Sequence, residues 1–142
     1  MKRLAVALLV LICSVAPAQD ALSTAVKRIT NTGVFAFGGV GLIGKTSQGE
    51  LDFRVIQSQP APVALASFEK IYATGDAAAK SYALAGIRQL DETRFKELFQ
   101  SLEGSQETVF TMQGCIMERH RLGEIAKAID AGSYDSWLKP RT

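Results

Sequence analysis

The chain has 142 residues, 47% of them hydrophobic and 21% charged, with 12 Gly, 4 Pro and 2 Cys. Those fractions exclude collagen-like, coiled-coil and wholly disordered chains, and the length allows one domain at most. The formal charge of +2 resides at the extreme N-terminus, so clustered base for binding a phosphate backbone is missing and nucleic acid is not an expected partner.

Met1-Lys2-Arg3 is a short basic start, Leu4 to Ile12 is an unbroken apolar run, and Ala16-Pro17-Ala18 supplies small residues. This is the layout of a secretory signal, too short in its apolar part to span about 30 Å of hydrocarbon. Cleavage is expected after Ala18, because cutting after Ala16 would leave Pro17 first. Lipidation at Cys13 is disfavoured, since the preceding residue, Ile12, is not small. The reading is therefore a signal peptide over 1–18 and a single helical domain over 19–142, exported to the periplasm or secreted. Loss of Lys2 and Arg3 leaves 14 bases against 14 acids, a neutral mature chain. No later apolar run is long enough for a membrane helix, so no membrane contact is expected after cleavage. Cys115 is then the sole cysteine, and no internal disulfide forms.

Ala21 to Thr32 reads as a first helix, with Leu22, Val26 and Ile29 on one face, Asp20 as cap and Gly33 as a left-handed stop. Val34 to Gly44 has no polar face and is expected to be buried, as a short strand or an irregular crossing segment. It runs into Gly39-Val40-Gly41-Leu42-Ile43-Gly44-Lys45-Thr46, which satisfies the phosphate-loop pattern G-x4-G-K-[ST]. In such a loop backbone N–H groups cradle phosphates, the lysine reaches the terminal phosphates and the threonine binds magnesium. Against it stand export, the absence of the parallel strands that fold requires, and no apolar strand ending in an aspartate for the metal. A packed or flexible glycine segment with a solvated Lys45 is the preferred reading. Phosphate binding by Gly39, Gly44, Lys45 and Thr46 is the alternative.

Ser47 to Glu50 has capping-box form and argues for a helix through Leu51, Val55 and Ile56. Alternation of Leu51, Phe53 and Val55 with Asp52 and Arg54 suits a strand instead; the helix is favoured. After the Pro60-Ala61-Pro62 break, three helices follow in succession: Val63 to Ala73, Ala77 to Leu90 capped by Asp76, and Glu92 to Leu102 capped by Asp91. Their short connections require antiparallel neighbours, and their stripes (Phe68 and Ile71; Tyr82, Ala83 and Ile87; Phe95 and Phe99) predict the core. Val109 to Met112 and Cys115 to Glu118 flank Gln113-Gly114, which has the form of a hairpin turn. A helix from Leu122 to Ala131 comes next, stopped by Gly132, and a last turn carries Tyr134, Trp137 and Leu138 before Pro140.

The stretch Ser81-Tyr82-Ala83-Leu84-Ala85-Gly86-Ile87 resembles the second helix of a HEAT unit, with small residues where helices approach. Gly114-Cys115-Ile116 is similar to a segment of small secreted bacterial proteins of unassigned function. The resemblance implies a mainly α fold of antiparallel HEAT-like helical hairpins, with at most one short β-hairpin, serving as a binding scaffold.

Cys115 and His120 form Cys-x4-His, and a thiol beside an imidazole can act as a nucleophile. A lone cysteine between Gly114 and Ile116-Met117 is, however, expected to be a buried, inert core residue. One histidine and one cysteine do not reach the ligand count of a metal site, the haem-attachment motif Cys-x-x-Cys-His is absent, and no cofactor is expected. Tyr134 and Trp137, near the terminus, are candidate partner-binding residues, as aromatic anchors mark interfaces. The sequence reads as an exported helical scaffold for a protein or peptide, leaning against an enzyme. Its alternatives are a small exported enzyme using Cys115 with His120, or a nucleotide-binding protein. The partner's identity and the oligomeric state are not legible.

Overall fold

The structure, a computed structural model, describes residues 16–139, with side-chain placement from Ala18 onward. The expected signal segment lies outside the described residues except for Ala16 to Ala18. The protein is mainly α: helices α1 (Ala16–Ile29), α2 (Gln48–Gln57), α3 (Ala61–Thr74), α4 (Ala77–Leu90), α5 (Glu92–Ser101), α6 (Leu122–Asp130) and α7 (Asp135–Leu138). Two small antiparallel ladders complete it, β1 (Gly39–Val40) with β2 (Lys45–Thr46) and β3 (Thr108–Gln113) with β4 (Ile116–Arg121).

Local chemistry sets most boundaries. Ser47 accepts the Glu50 N–H at 3.1 Å, Asp76 the Ala79 N–H at 2.8 Å and Asp91 the Arg94 N–H at 2.9 Å, so each cap satisfies a first-turn donor. The Ser47 cap settles residues 51–56 as helix. Its buried face is carried by Phe53 and Ile56, however, and Leu51 is about half exposed. Helix α3 starts at Ala61, two residues before Val63, since Pro62 falls in the first turn, where a missing N–H costs nothing. Helix α1 begins before Asp20, which lies within the helix rather than at its cap.

Helix α4 is the central element. It packs against α3 on one side and α5 on the other, and it also touches α2, α6 and β3. Every residue from Ser81 to Ile87 is buried. At Gly86 an added Cβ would lie 2.3 Å from the Phe68 ring, so the close approach of α3 and α4 requires glycine there. Phe35 and Phe37 meet Tyr82 edge to face at 4.8 and 5.2 Å, and Phe37 meets Phe53 at 5.2 Å. Such pairs add about 0.5–1.5 kcal/mol each beyond burial. The Tyr82 hydroxyl donates to the Ala36 carbonyl at 2.7 Å and accepts the Ala36 N–H at 2.9 Å. One tyrosine thereby pins the strand-like segment 35–37 to the helical layer. Asp52, buried in α2, is held by the Arg28 guanidinium of α1, with Nη2 to Oδ1 at 2.5 Å, which ties the first two helices together.

The remaining expectations fare differently. Phe35 to Phe37 is buried, but the rest of the apolar segment is not. Leu42 and Ile43 are 96% and 87% exposed at the tip of the β1–β2 hairpin. That hairpin is a second short ladder beyond the single one expected. The turn of β3–β4 is Gly114-Cys115, one residue later than Gln113-Gly114, because Gln113 pairs with Ile116. Gly114 takes φ of 56°, the conformation that the first central position of a two-residue turn demands of glycine. This shift puts Cys115 at the tip. It is exposed, correcting the expectation of a buried thiol. Phe99 is only partly buried and stacks on Phe95 at 6.0 Å.

Candidate functional site

Segment 35–40 runs beside β3 as an interrupted parallel neighbour, bridged at Phe35–Thr111 and Val40–Gly114. With the β3–β4 hairpin it makes a small β layer set against α6 and α7. Between the sheet and these helices lies an open groove of about 410 Å³. Phe35, Phe37, Tyr134 and Trp137 line its apolar part, and Glu118, His120 and Glu124 supply polar groups. The strand register explains the division. Val109, Thr111 and Gln113 share one face with their partners His120, Glu118 and Ile116, since side chains alternate along a strand. That face turns toward α6. Phe110, Met112, Met117 and Arg119 take the other.

The two candidate binding residues, Tyr134 and Trp137, are brought together here, with rings 6.3 Å apart. Tyr134 also contacts Phe35 at 5.1 Å, and burial raises its phenol above the ordinary tyrosine value. Trp137 lies against Gly38, where its Nε1 would be 3.1 Å from an added Cβ. Both aromatics therefore stand half-buried as walls of the groove rather than as free anchors. Their support was not legible in the sequence. The Arg54 guanidinium donates to the Trp137 carbonyl and, at 3.2 Å, to that of Lys139. Gln57 and Gln89 both donate to the Leu138 carbonyl, at 2.6 and 2.9 Å. Three polar residues from α2 and α4 thus clamp a four-residue helix that could not hold itself.

The alternative sets fare otherwise. Cys115 sits in the turn and His120 five residues along β4, which is about 16 Å of extended chain. The fold does not bring thiol and imidazole together. The nearest acid to His120 is Glu118, with Nε2 and Oε2 3.4 Å apart. The glycine segment folds back on itself, Gly39 pairing with Thr46 and Val40 with Lys45, rather than wrapping an anion. Its amides already have carbonyl partners: Gly41 N–H donates to Gly114 at 2.8 Å and Gly44 N–H to Gly41 at 3.2 Å. Helix α2 starts only at Gln48, so its N-terminus does not follow directly from Lys45 and Thr46 as a phosphate loop needs. Among the described residues, no group of three or more His, Cys, Asp or Glu is placed to hold a metal ion. Comparison with protein-family models, with curated proteins and with solved structures gives no match.

Proposed function

We propose that the chain is an exported helical scaffold that binds a protein or peptide in the groove between the β3–β4 hairpin and helices α6 and α7. The observation that carries this reading is the groove itself, walled by the Tyr134 and Trp137 rings and edged by Glu118, His120 and Glu124. A concave apolar lining with a few convergent polar groups is the usual form of a recognition site. The rigid mounting of α7 by Arg54, Gln57 and Gln89 supports it, because a preorganised wall lowers the ordering cost of association. Export to the periplasm or medium belongs to the same proposal and rests on the basic, apolar and small-residue succession of residues 1–18. The HEAT-like resemblance of residues 81–87 is in keeping with a scaffold.

A photo-reactive benzoylphenylalanine placed at Glu118, on the groove face, tests the reading against the same residue at Ala66, on the outer surface of α3. Irradiation in extract of the producing cell's periplasm should give an adduct of one defined mass from position 118 and none from position 66. Equal adducts at both positions, or none at 118, would sink the groove as the binding site.

A further inference from the structure

The two hairpins end at the same edge of the molecule. Gly41 N–H donates to the Gly114 carbonyl at 2.8 Å, and Gly114 N–H donates to the Gly39 carbonyl at 3.0 Å, so the tips are held side by side. Four of the largest exposed apolar side chains gather there: Leu42 and Ile43 on one tip, Ile116 and Met117, 67% and 56% exposed, on the other. A soluble protein rarely leaves such a cluster bare without a use for it. The charge around it is one-sided. Segments 39–46 and 108–121 carry Lys45, Arg119 and Arg121 against Glu118 alone, although the mature chain is neutral overall. Lys45 follows Ile43 by two residues, and Arg119 shares the face of β4 that carries Met117. Glu118 is on the opposite face, beside His120.

We propose that the paired tips are a docking surface for an anionic lipid bilayer. Leu42 and Ile43, with Ile116 and Met117, enter the headgroup–acyl boundary, while Lys45 and Arg119 lie against lipid phosphates. Apolar insertion combined with nearby base is the chemistry of interfacial anchoring. The mutual hydrogen bonds of the tip glycines serve the same end, since backbone amides entering an apolar layer need partners. Among the described residues no helix is long and apolar enough to cross a membrane, and none is needed. The contact is peripheral. It meets the groove only at Ile116, which lines the groove's outer end, whereas Leu42, Ile43, Lys45, Met117 and Arg119 lie outside it.

Co-sedimentation of the chain with vesicles tests it, using phosphatidylcholine alone and phosphatidylcholine with one quarter phosphatidylglycerol. Binding should favour the anionic vesicles and weaken with salt. Leu42→Ser with Ile43→Ser should lower the partition coefficient roughly tenfold or more, and Lys45→Glu should weaken anionic binding alone. Residues 1–18 are the same in the tip variants, so binding that survives the double substitution belongs to them and overturns the proposal. A Cys13→Ala chain labelled at Cys115 with an environment-sensitive fluorophore should shift to the blue on anionic vesicles. No vesicle binding, or sedimentation equilibrium showing self-association that depends on Leu42 and Ile43, also overturns it; the latter makes a second copy the occupant.

Discussion

Glycine does opposite work at the two ends of this protein. Within the helical layer, Gly86 and Gly49 are places where a Cβ would strike a ring, 2.3 Å from Phe68 and 2.6 Å from the Tyr82 hydroxyl. At the hairpin tips, Gly41, Gly44 and Gly114 face open space, with nothing within 4 Å of a built Cβ, and all have positive φ. In the first region the absence of a side chain lets elements approach. In the second it lets the chain reverse. The helical layer is consequently dense and intolerant, whereas the tips, apart from their positive-φ glycines, are tolerant of side-chain change and free to present apolar groups to something else. A run of small and apolar residues therefore does not announce burial; what decides is whether another element is there to cover it.

Substitutions should expose this contrast most strongly in the helical layer. Phe68→Ala should cost about 3–5 kcal/mol and Ile87→Ala about 2–5 kcal/mol, because both side chains, one on α3 and one on α4, are fully buried. Gly86→Val should cost at least about 1–3 kcal/mol by overpacking against the same ring. Phe99→Ala, on a partly buried residue, should cost less than any Phe substitution in the layer. Urea midpoints of the four variants check the order. If Gly86→Val unfolds no more readily than wild type, α3 and α4 do not approach as described.

The junction between the two regions should respond to pH. Burial pushes the Tyr82 phenol up to about 12, opposed by its hydrogen bonds to Ser47 and Ala36 and helped by the charges of Glu50 and Asp52. The folded state thus holds this proton more tightly than the unfolded chain, whose phenol titrates near 10. The associated stability is complete below pH 10 and is lost as pH rises through about 12, a total of roughly 2–3 kcal/mol. Tyr82→Phe should flatten that alkaline slope while lowering stability at neutral pH, because the Ala36 N–H and carbonyl lose their partner. An alkaline slope unchanged in Tyr82→Phe would assign it to another group.

The smallest effects belong to the tips. Leu42→Ser, Ile43→Ser and Cys115→Ser should each move the unfolding free energy by no more than about 0.5 kcal/mol, as the residues are exposed and outside the core. A loss above 1 kcal/mol for Leu42→Ser in thermal or urea unfolding would mean that the tip is covered by the protein itself. These variants also make the cleanest reagents for the lipid experiment, since any change in vesicle binding cannot then be attributed to loss of fold.

Much of the helical half was legible in the residues. Asp76 and Asp91 each mark a first turn with a side chain that accepts an N–H three residues on, and Ser47 does so at α2. The stripes through Tyr82, Ile87, Phe95 and Ile129 are local periodicities that any helix would turn to one side, and all four are buried. The candidate site was legible only in part. Tyr134 and Trp137 stood out as aromatics near a terminus, but nothing near them in sequence pointed to Arg54, Gln57 and Gln89, which lie about 50 to 80 residues away and hold the last helix by its carbonyls.

What the sequence determined by itself was the set of helices, the starts of α2, α4 and α5 and most of the inward stripes, because capping and periodicity are interactions within a few residues of chain. Only the tertiary structure decided which apolar residues found a cover. Phe35 and Phe37 met Tyr82, Phe53 and Tyr134 and became core, whereas Leu42 and Ile43, a few residues on in the same apolar run, passed beyond the edge of the helical layer and stayed in solvent. The turn register was settled in the same way. Pairing Gln113 with Ile116 moved Cys115 from an expected core position to an exposed tip, since each shift of one residue in a hairpin changes which side chains the turn displays and which the sheet covers.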